Sequence, residues 1–375
     1  MDFSYSEEQQ MLRDSVAKFV NQDYDWDTRV AIVDSDTGYS EKNWKLFAEL
    51  GWLMVPFKEE DGGLGGTNVD VVGLMEELGK GIVVEPIVPT VILGGGLIAE
   101  AGNAAQKEEL LGQLMAGELQ LSFAYNEPQS RYNLADVATK AEKSGDNYVI
   151  NGHKAVALNA QNADKIIVAV RTSGNQHDET GISLLMVDKG TAGLRLNSYA
   201  TVDGQRGAEV FFDNCSVPAA NLLGEEGKAL PVIENVIDRA TLAVCAEAMG
   251  AMEVSYKKTV EYTKTRKQFG VTISVFQALQ HRMTEMFIEH EQAKSIVLMA
   301  AMQSDNAGGV DKKAISAAKS RVGRSARLVG QESIQIHGGI GVTEELDVGH
   351  YFKRLTTIQF TFGSTDFHTT RFANL

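Results

Sequence analysis

The chain is poor in several things that would announce a function. Cysteine is nearly absent: Cys215 and Cys245 are the two in 375 residues. They stand in dissimilar contexts, which leaves no disulfide framework and no metal-ligand spacing and fits a reducing compartment. No apolar run reaches about 18 residues, so a membrane-spanning helix is not expected. Lysine and arginine number 35 against 50 acidic residues, a formal charge of −15, and nowhere cluster. Phosphate-backbone binding needs such clusters, so nucleic acid is not an expected partner. The opening MDFSYSEEQQMLRD is acidic and polar, and reads as neither signal nor transit peptide. There is no internal repeat and no low-complexity segment. The expectation is a cytoplasmic protein of two or three packed units, with 43% hydrophobic residues to fill its cores.

The pattern changes period twice. Ser6 followed by Gln9 spells a capping box, and Met11, Leu12, Val16, Phe19 and Val20 mark one helical face. Ser40 is placed to cap a helix ending at Gly51. The glycine-rich PFKEEDGGLGG, 56–66, must be loop, and lacks the Lys-Ser/Thr of a P-loop. Further helices are expected over 69–78, 89–101 and 106–115. From about residue 119 short β-rich runs take over: 121–125, 137–141, 148–150, 166–170, 182–187 and 209–212. Gly145-Asp146 and Asn151-Gly152 read as turns among them. From 227 the helical period returns, with long helices expected over 229–265, 275–306 and 311–337. The spacing predicts a multi-domain α+β chain: helices over 1–118, a β-barrel or sandwich over 119–226 and a helical bundle over 227–375.

The most informative stretch is YTKTRKQFGVTISVFQALQ, 262–280. It reads as a helix end, a corner at Gly270 and a new helix. Arg266 offers a planar fork that suits a pyrophosphate, Phe269 an aromatic face, and Gln277 an amide. The same residues would also serve a plain helical hairpin, with Arg266 paired to a carboxylate and Phe269 in a core.

R-K-Q-F-G-x-x-I-x-x-F-Q is very similar to a signature of the acyl-CoA dehydrogenase family of flavoproteins. A second run, Gln335-Ile-His-Gly-Gly-Ile-Gly341, resembles another. The resemblance covers nearly the whole chain and implies helical, β and four-helix-bundle domains in that order. It implies FAD as cofactor, an acyl-CoA thioester as substrate, and α,β-dehydrogenation of a fatty or steroid side chain. Electron-transfer flavoprotein is the implied acceptor. It assigns FAD contacts to Arg266, Phe269, Gln277, Gln335, Gly338 and Gly339, often across a subunit interface, and to Asn126 on the middle unit. His337 reads as a packed loop residue.

The departures are equally specific. The family's reaction needs a carboxylate against the substrate α-carbon. Phe362 stands where most relatives carry that Glu, and Ala240 stands at the alternative position. Asp366, Glu247 and Asp238 are the carboxylates nearby in sequence, each with a structural reading as well. The middle unit has Asn126-Glu-Pro-Gln in place of the usual T-E-P-G, and Val156-Ala-Leu-Asn159 in place of W-I-T/S-N. An aromatic wall and a hydroxyl contact to the flavin are therefore missing. These traits, with CAEAMG (245–250) and VGHYFKRLT (348–356) ahead of an F-G-x-x-D-x-H ending, resemble the small subunits of α2β2 acyl-CoA dehydrogenases. Three readings follow: a subunit needing a larger paralogue for the base, a complete homo-oligomeric enzyme using Asp366 or Glu247, or a silent scaffold for CoA esters.

Overall fold

The computed structural model describes residues 5–375. Contacts gather them into two compact units, one of residues 5–31, 67–83 and 241–375, the other of 32–66 and 84–240. The helices are α1 (Glu7–Gln22), α2 (Trp26–Val33), α3 (Glu41–Glu49), α4 (Asn68–Lys80), α5 (Gly96–Ala101), α6 (Ala104–Met115), α7 (Leu230–Thr265), α8 (Gln277–Asn306), α9 (Lys312–His337), α10 (Val348–Phe360) and α11 (Thr365–Asn374).

In the first unit the capping box expected at Ser6 forms. Ser6 Oγ accepts from the Gln9 N–H at 3.2 Å, and Gln9 Oε1 accepts from the Ser6 N–H at 3.0 Å. Asp311 caps α9 by accepting from the Ala314 N–H at 2.9 Å. The Ala-rich part of α7 is buried all round, from Leu242 through Met252, as expected of a helix at a bundle centre. It meets α4 backbone to backbone. A Cβ on Gly250 would lie 1.9 Å from the Glu76 carbonyl oxygen, and one on Gly79 would lie 2.1 Å from that of Glu247. Glycine at both positions is what lets the helices touch there. The same stretch of α4 carries buried Glu76 and Glu77, which Arg13 of α1 bridges. Helices α8 to α11 complete the bundle, with α9 packed against α8, α10 and α11.

The second unit holds an eight-stranded sheet, β1 (Leu121–Ala124), β2 (Lys140–Ser144), β3 (Asn147–Leu158), β4 (Lys165–Arg171), β5 (Ile182–Asp188), β6 (Leu194–Ala200), β7 (Arg206–Pro218) and β8 (Leu222–Leu223). The order is β6-β7-β3-β2-β4-β5-β8, with β1 parallel to β4. Strands β2 and β4 share one facing pair, Lys140 and Arg171. The sheet folds over at that joint, so Ile150, Val210 and Val217 meet Ile166, Val168 and Leu185 in one apolar cluster.

Three local expectations are corrected. Asn151-Gly152 is no turn: β3 runs straight through it, and the register slips by a bulge between Ile150 and Gly152. Gly152 is needed because a Cβ there would lie 2.5 Å from Thr139 Oγ1. The stretch 89–101 is not one α-helix, since Ile87–Gly95 winds as a π-helix before α5. Gly94 in it leaves space for Leu121, whose Cβ would sit 2.5 Å from an added methyl. Residues 137–139 lie outside β2, and Thr139 instead donates its N–H to Glu127 Oε1 at 2.9 Å.

Candidate functional site

The corner after α7 is tighter than a helical hairpin. Lys267–Gln268 (β9) and Val271–Thr272 (β10) pair antiparallel, leaving Phe269 and Gly270 as a two-residue turn. Both have positive φ, 55° and 81°, as a type I′ turn requires. Glycine tolerates this freely, but a phenylalanine there costs about 1–2 kcal/mol. Phe269 is also 90% exposed, so no core burial offsets the strain. The hairpin reading with Phe269 as a core residue is thus corrected, and the ring is displayed outward. Arg266 and Gln277 are likewise exposed. The Arg266 backbone is fixed by bonds to Tyr262 O and from the Ile273 N–H, both 2.9 Å, while its guanidinium faces outward.

The second signature lies against the first. α9 ends at His337, and Gly338 continues at φ 68° into a 3-10 turn. The His337 ring stacks on Tyr262 with centroids 4.3 Å apart, and the Tyr262 hydroxyl donates to the His337 carbonyl at 3.3 Å. His337 Nδ1 donates to Ser333 O at 2.7 Å, and burial holds its pKa below the usual imidazole value. It is a neutral packing residue. Gln335, Gly338 and Gly339 are exposed beside it, with no atom within 4 Å of where a Cβ on either glycine would stand. One fork, two amides, an aromatic face and open glycine backbone are therefore gathered on one side of the bundle. Such a donor set, with no carboxylate of its own, fits the nucleotide half of a flavin dinucleotide.

The base positions are different in kind. Phe362 sits at φ 59° in the turn between α10 and α11, and that turn is fastened from inside. Lys319 Nζ, fully buried on α9, donates to the carbonyls of Ile358 at 2.9 Å, Gln359 at 3.2 Å and Gly363 at 2.7 Å. His368 Nε2 donates to Phe362 O at 3.0 Å, so the proton of this neutral ring is on Nε2. Burial first, then the nearby Lys319 and Arg371 charges, lower its pKa to about 4. Burial likewise lowers that of Lys319 to about 8.

Ala240 is a buried methyl. Glu247 accepts from Arg354 Nε and a terminal nitrogen, both at 2.6 Å, in a buried bidentate pair. Asp366 is exposed in the first turn of α11, after the Ser364 cap, a usual place for an acid that complements the helix dipole. Asp238 is buried and partnered. Sequence reading overlooked Lys319, although a signal existed. It falls at helical spacing on the buried stripe of Ile315, Val322 and Ala326, where a lysine needs a specific acceptor.

In the sheet unit, half-buried Asn126 accepts from the Ala155 N–H through its carbonyl at 2.8 Å. Next to it, Glu127 pairs with fully buried Lys154 at 2.7 Å and accepts from the Ala138 and Thr139 N–H groups. Burial alone would raise the Glu127 pKa, but Lys154 and these bonds bring it down to about 2. Val156, where relatives carry the aromatic wall, is 42% exposed and supplies neither a ring nor a hydrogen bond. The isoalloxazine half of a flavin is thus fitted less well by this unit than the nucleotide half is by the other.

Residues 6–118 match the acyl-CoA dehydrogenase N-terminal domain, 122–215 the middle domain and 227–374 the C-terminal domain. The chain belongs to the acyl-CoA dehydrogenase family, an oxidoreductase family whose cofactor is FAD. It is 33% identical over 371 residues to a probable acyl-CoA dehydrogenase of Bacillus subtilis (strain 168), covering 98% of this chain and 97% of that one. The structure of acyl-CoA dehydrogenase from Geobacillus kaustophilus is 30% identical with a TM-score of 0.90, covering 99% and 98%. The steroid ACAD named Tcur3481-Tcur3483 is 26% identical with a TM-score of 0.87, covering 98% and 97%.

Proposed function

We propose that this chain is a subunit of an FAD-dependent acyl-CoA dehydrogenase that lends the nucleotide-binding half of a flavin site and relies on a paralogous chain for the catalytic Glu. One observation carries the reading. The ligand-facing features of the Arg266–Gln277 and Gln335–Gly339 segments are kept even at the cost of strain at Phe269. Both positions for the base meanwhile hold side chains that cannot take a proton, Phe362 and Ala240. When bound, FAD would supply the acceptor for a hydride from the β-carbon of the thioester. Arg266 and Gln277 would hold its phosphates, Phe269 would cover its adenine, and the backbone at Gly338 and Gly339 would let it approach closely. Glu247 is occupied by Arg354 and Asp366 by its helix terminus, so neither stands ready to take a proton. The steroid ACAD similar to this chain is itself named as a pair, which supports an α2β2 assembly. We further propose an acyl-CoA of fatty or steroid side-chain type as substrate, electron-transfer flavoprotein as acceptor, and a cytoplasmic setting. Buried unpaired thiols at Cys215 and Cys245 suit that compartment. No helix among the described residues is long and apolar enough to cross a membrane.

The test is reconstitution. Purified chain and a Glu-bearing paralogue, each inactive toward acyl-CoA, should gain activity and share bound FAD when mixed. Replacing the paralogue's Glu by Gln should then cut flavin reduction by about 10²–10⁴-fold. Full dehydrogenase activity from the homo-oligomer alone would overturn the partner requirement.

A further inference from the structure

Midway along α9, where it packs on α11, lies a cleft of about 220 Å³ lined by Ala317, Ser320, Arg321, Arg324, Thr369 and Phe372. Arg321 and Arg324 are one turn apart and share a face, as do Thr369 and Phe372 on α11. No carboxylate lines the cleft, although acids outnumber bases 50 to 35 in the chain. Arg321 is steadied by Glu289 of α8 at 2.8 Å, which also accepts from Ser325 Oγ at 2.7 Å. Its Nε is buried and has no acceptor. Arg324 is exposed, and its bonds to the Ser320 and Thr369 hydroxyls are both 3.5 Å, at the long limit of such contacts. Those hydroxyls also bond each other at 2.8 Å, and Thr369 donates to Thr365 O at 2.8 Å. Phe372 walls the cleft, with Lys313 Nζ 5.1 Å from its ring centroid.

A carboxylate is planar and is satisfied by one guanidinium fork; two forks from successive turns suit a tetrahedral group with several free oxygens. We propose that this cleft binds a phosphate-bearing small molecule, its phosphate between Arg321 and Arg324 and its organic body against Phe372. The cleft is separate from the flavin segments. Eleven residues part Arg324 from Gln335, about 16 Å along the helix. The proposal therefore stands independently of the flavin reading.

Isothermal titration at fixed ionic strength, on the full chain as purified, tests it with pyrophosphate, ADP and adenosine as probes. Saturable millimolar or tighter binding is expected for pyrophosphate, tighter for ADP, and none for adenosine. Arg324→Gln should weaken both phosphates about tenfold, the scale of one lost charge-assisted bond. Arg327→Gln, exposed on the same helix but outside the cleft, should leave them unchanged. Phe372→Ala should erase the advantage of ADP over pyrophosphate while pyrophosphate itself still binds. Arg266→Ala should retain both. The proposal is overturned by absent saturation, by equal weakening in Arg327→Gln, by an ADP preference that survives Phe372→Ala, or by loss of binding in Arg266→Ala, which would return the phosphate to the flavin segments.

Discussion

Two turns of the same helical bundle have gone opposite ways. The corner at Phe269-Gly270 is exposed, polar at its base and strained. It gives up stability to display an exposed aromatic ring, met edge-on by Phe276, and an exposed arginine. The turn at Phe362-Gly363 is apolar and tied from within by Lys319 and His368. Its bonds all serve the fold. Both turns hold a phenylalanine in the left-handed region, φ 55° and 59°, so strain does not separate them; the difference is that internal bonds from Lys319 and His368 secure the Phe362 turn, while the Phe269 ring is exposed. The pair of turns, more than either alone, supports the half-site reading.

The contrast can be broken at four points. The largest effect is expected at Lys319→Met, which strips three carbonyls of their donor and should lower unfolding free energy by about 3 kcal/mol in urea. A loss under about 1 kcal/mol would mean the turn holds without its clamp. Next comes pH. His368 is neutral in the fold with a pKa near 4, against 6.5 when free, so between those values the unfolded chain binds more protons. Stability is therefore full above pH 6.5 and falls as pH drops toward 4, by about 3 kcal/mol at most. His368→Asn should flatten melting temperature over that window; an unaltered slope rules out His368 as the titrating group. Below about 4.5 the depressed carboxyl of Glu127 adds a loss of the same sign.

Third, Arg266→Ala should weaken FAD binding by about 2 kcal/mol, roughly thirtyfold, in a reconstituted assembly. Urea stability should not move, since the side chain is exposed; a stability loss without an affinity loss would make Arg266 structural. The smallest effect has the most telling sign. Phe269→Gly should stabilise the isolated chain by about 0.5–1 kcal/mol, relief of the left-handed strain less the added freedom of glycine when unfolded. The same variant should bind FAD less well. If stability and affinity change in the same direction, the ring is not held there for a ligand.

Much of this architecture was legible before any coordinates. The caps at Ser6 and Ser40 are local hydrogen-bond chemistry, and the switch from helical to alternating period and back marks where the sheet begins and ends. What failed to show depends on contacts distant in sequence. β6, LRLNSYA, carries no alternation because most of it is solvated on both faces. Asn151-Gly152 spells a turn, but pairing along β3 and β7 and the approach of Thr139 convert it to a bulge. Phe269 was readable as an aromatic of interest, but not as a residue in the left-handed region, since a phenylalanine before glycine more often signals a core. Lys319 meets carbonyls 39 to 44 positions away, a relation that no local pattern encodes.

The close approach of α4 and α7 at Gly79 and Gly250 bears on how this chain can change over generations. Two backbones in direct contact leave no smaller residue to fall back on, and the least enlargement on either side drives the partner helix away. Drift at one position cannot be rescued by trimming the other, because both are already minimal. The crossing of α4 and α7 therefore sits at an evolutionary dead end. Homologues that diverge freely in their surfaces and ligand pockets should be found still anchored at this one joint.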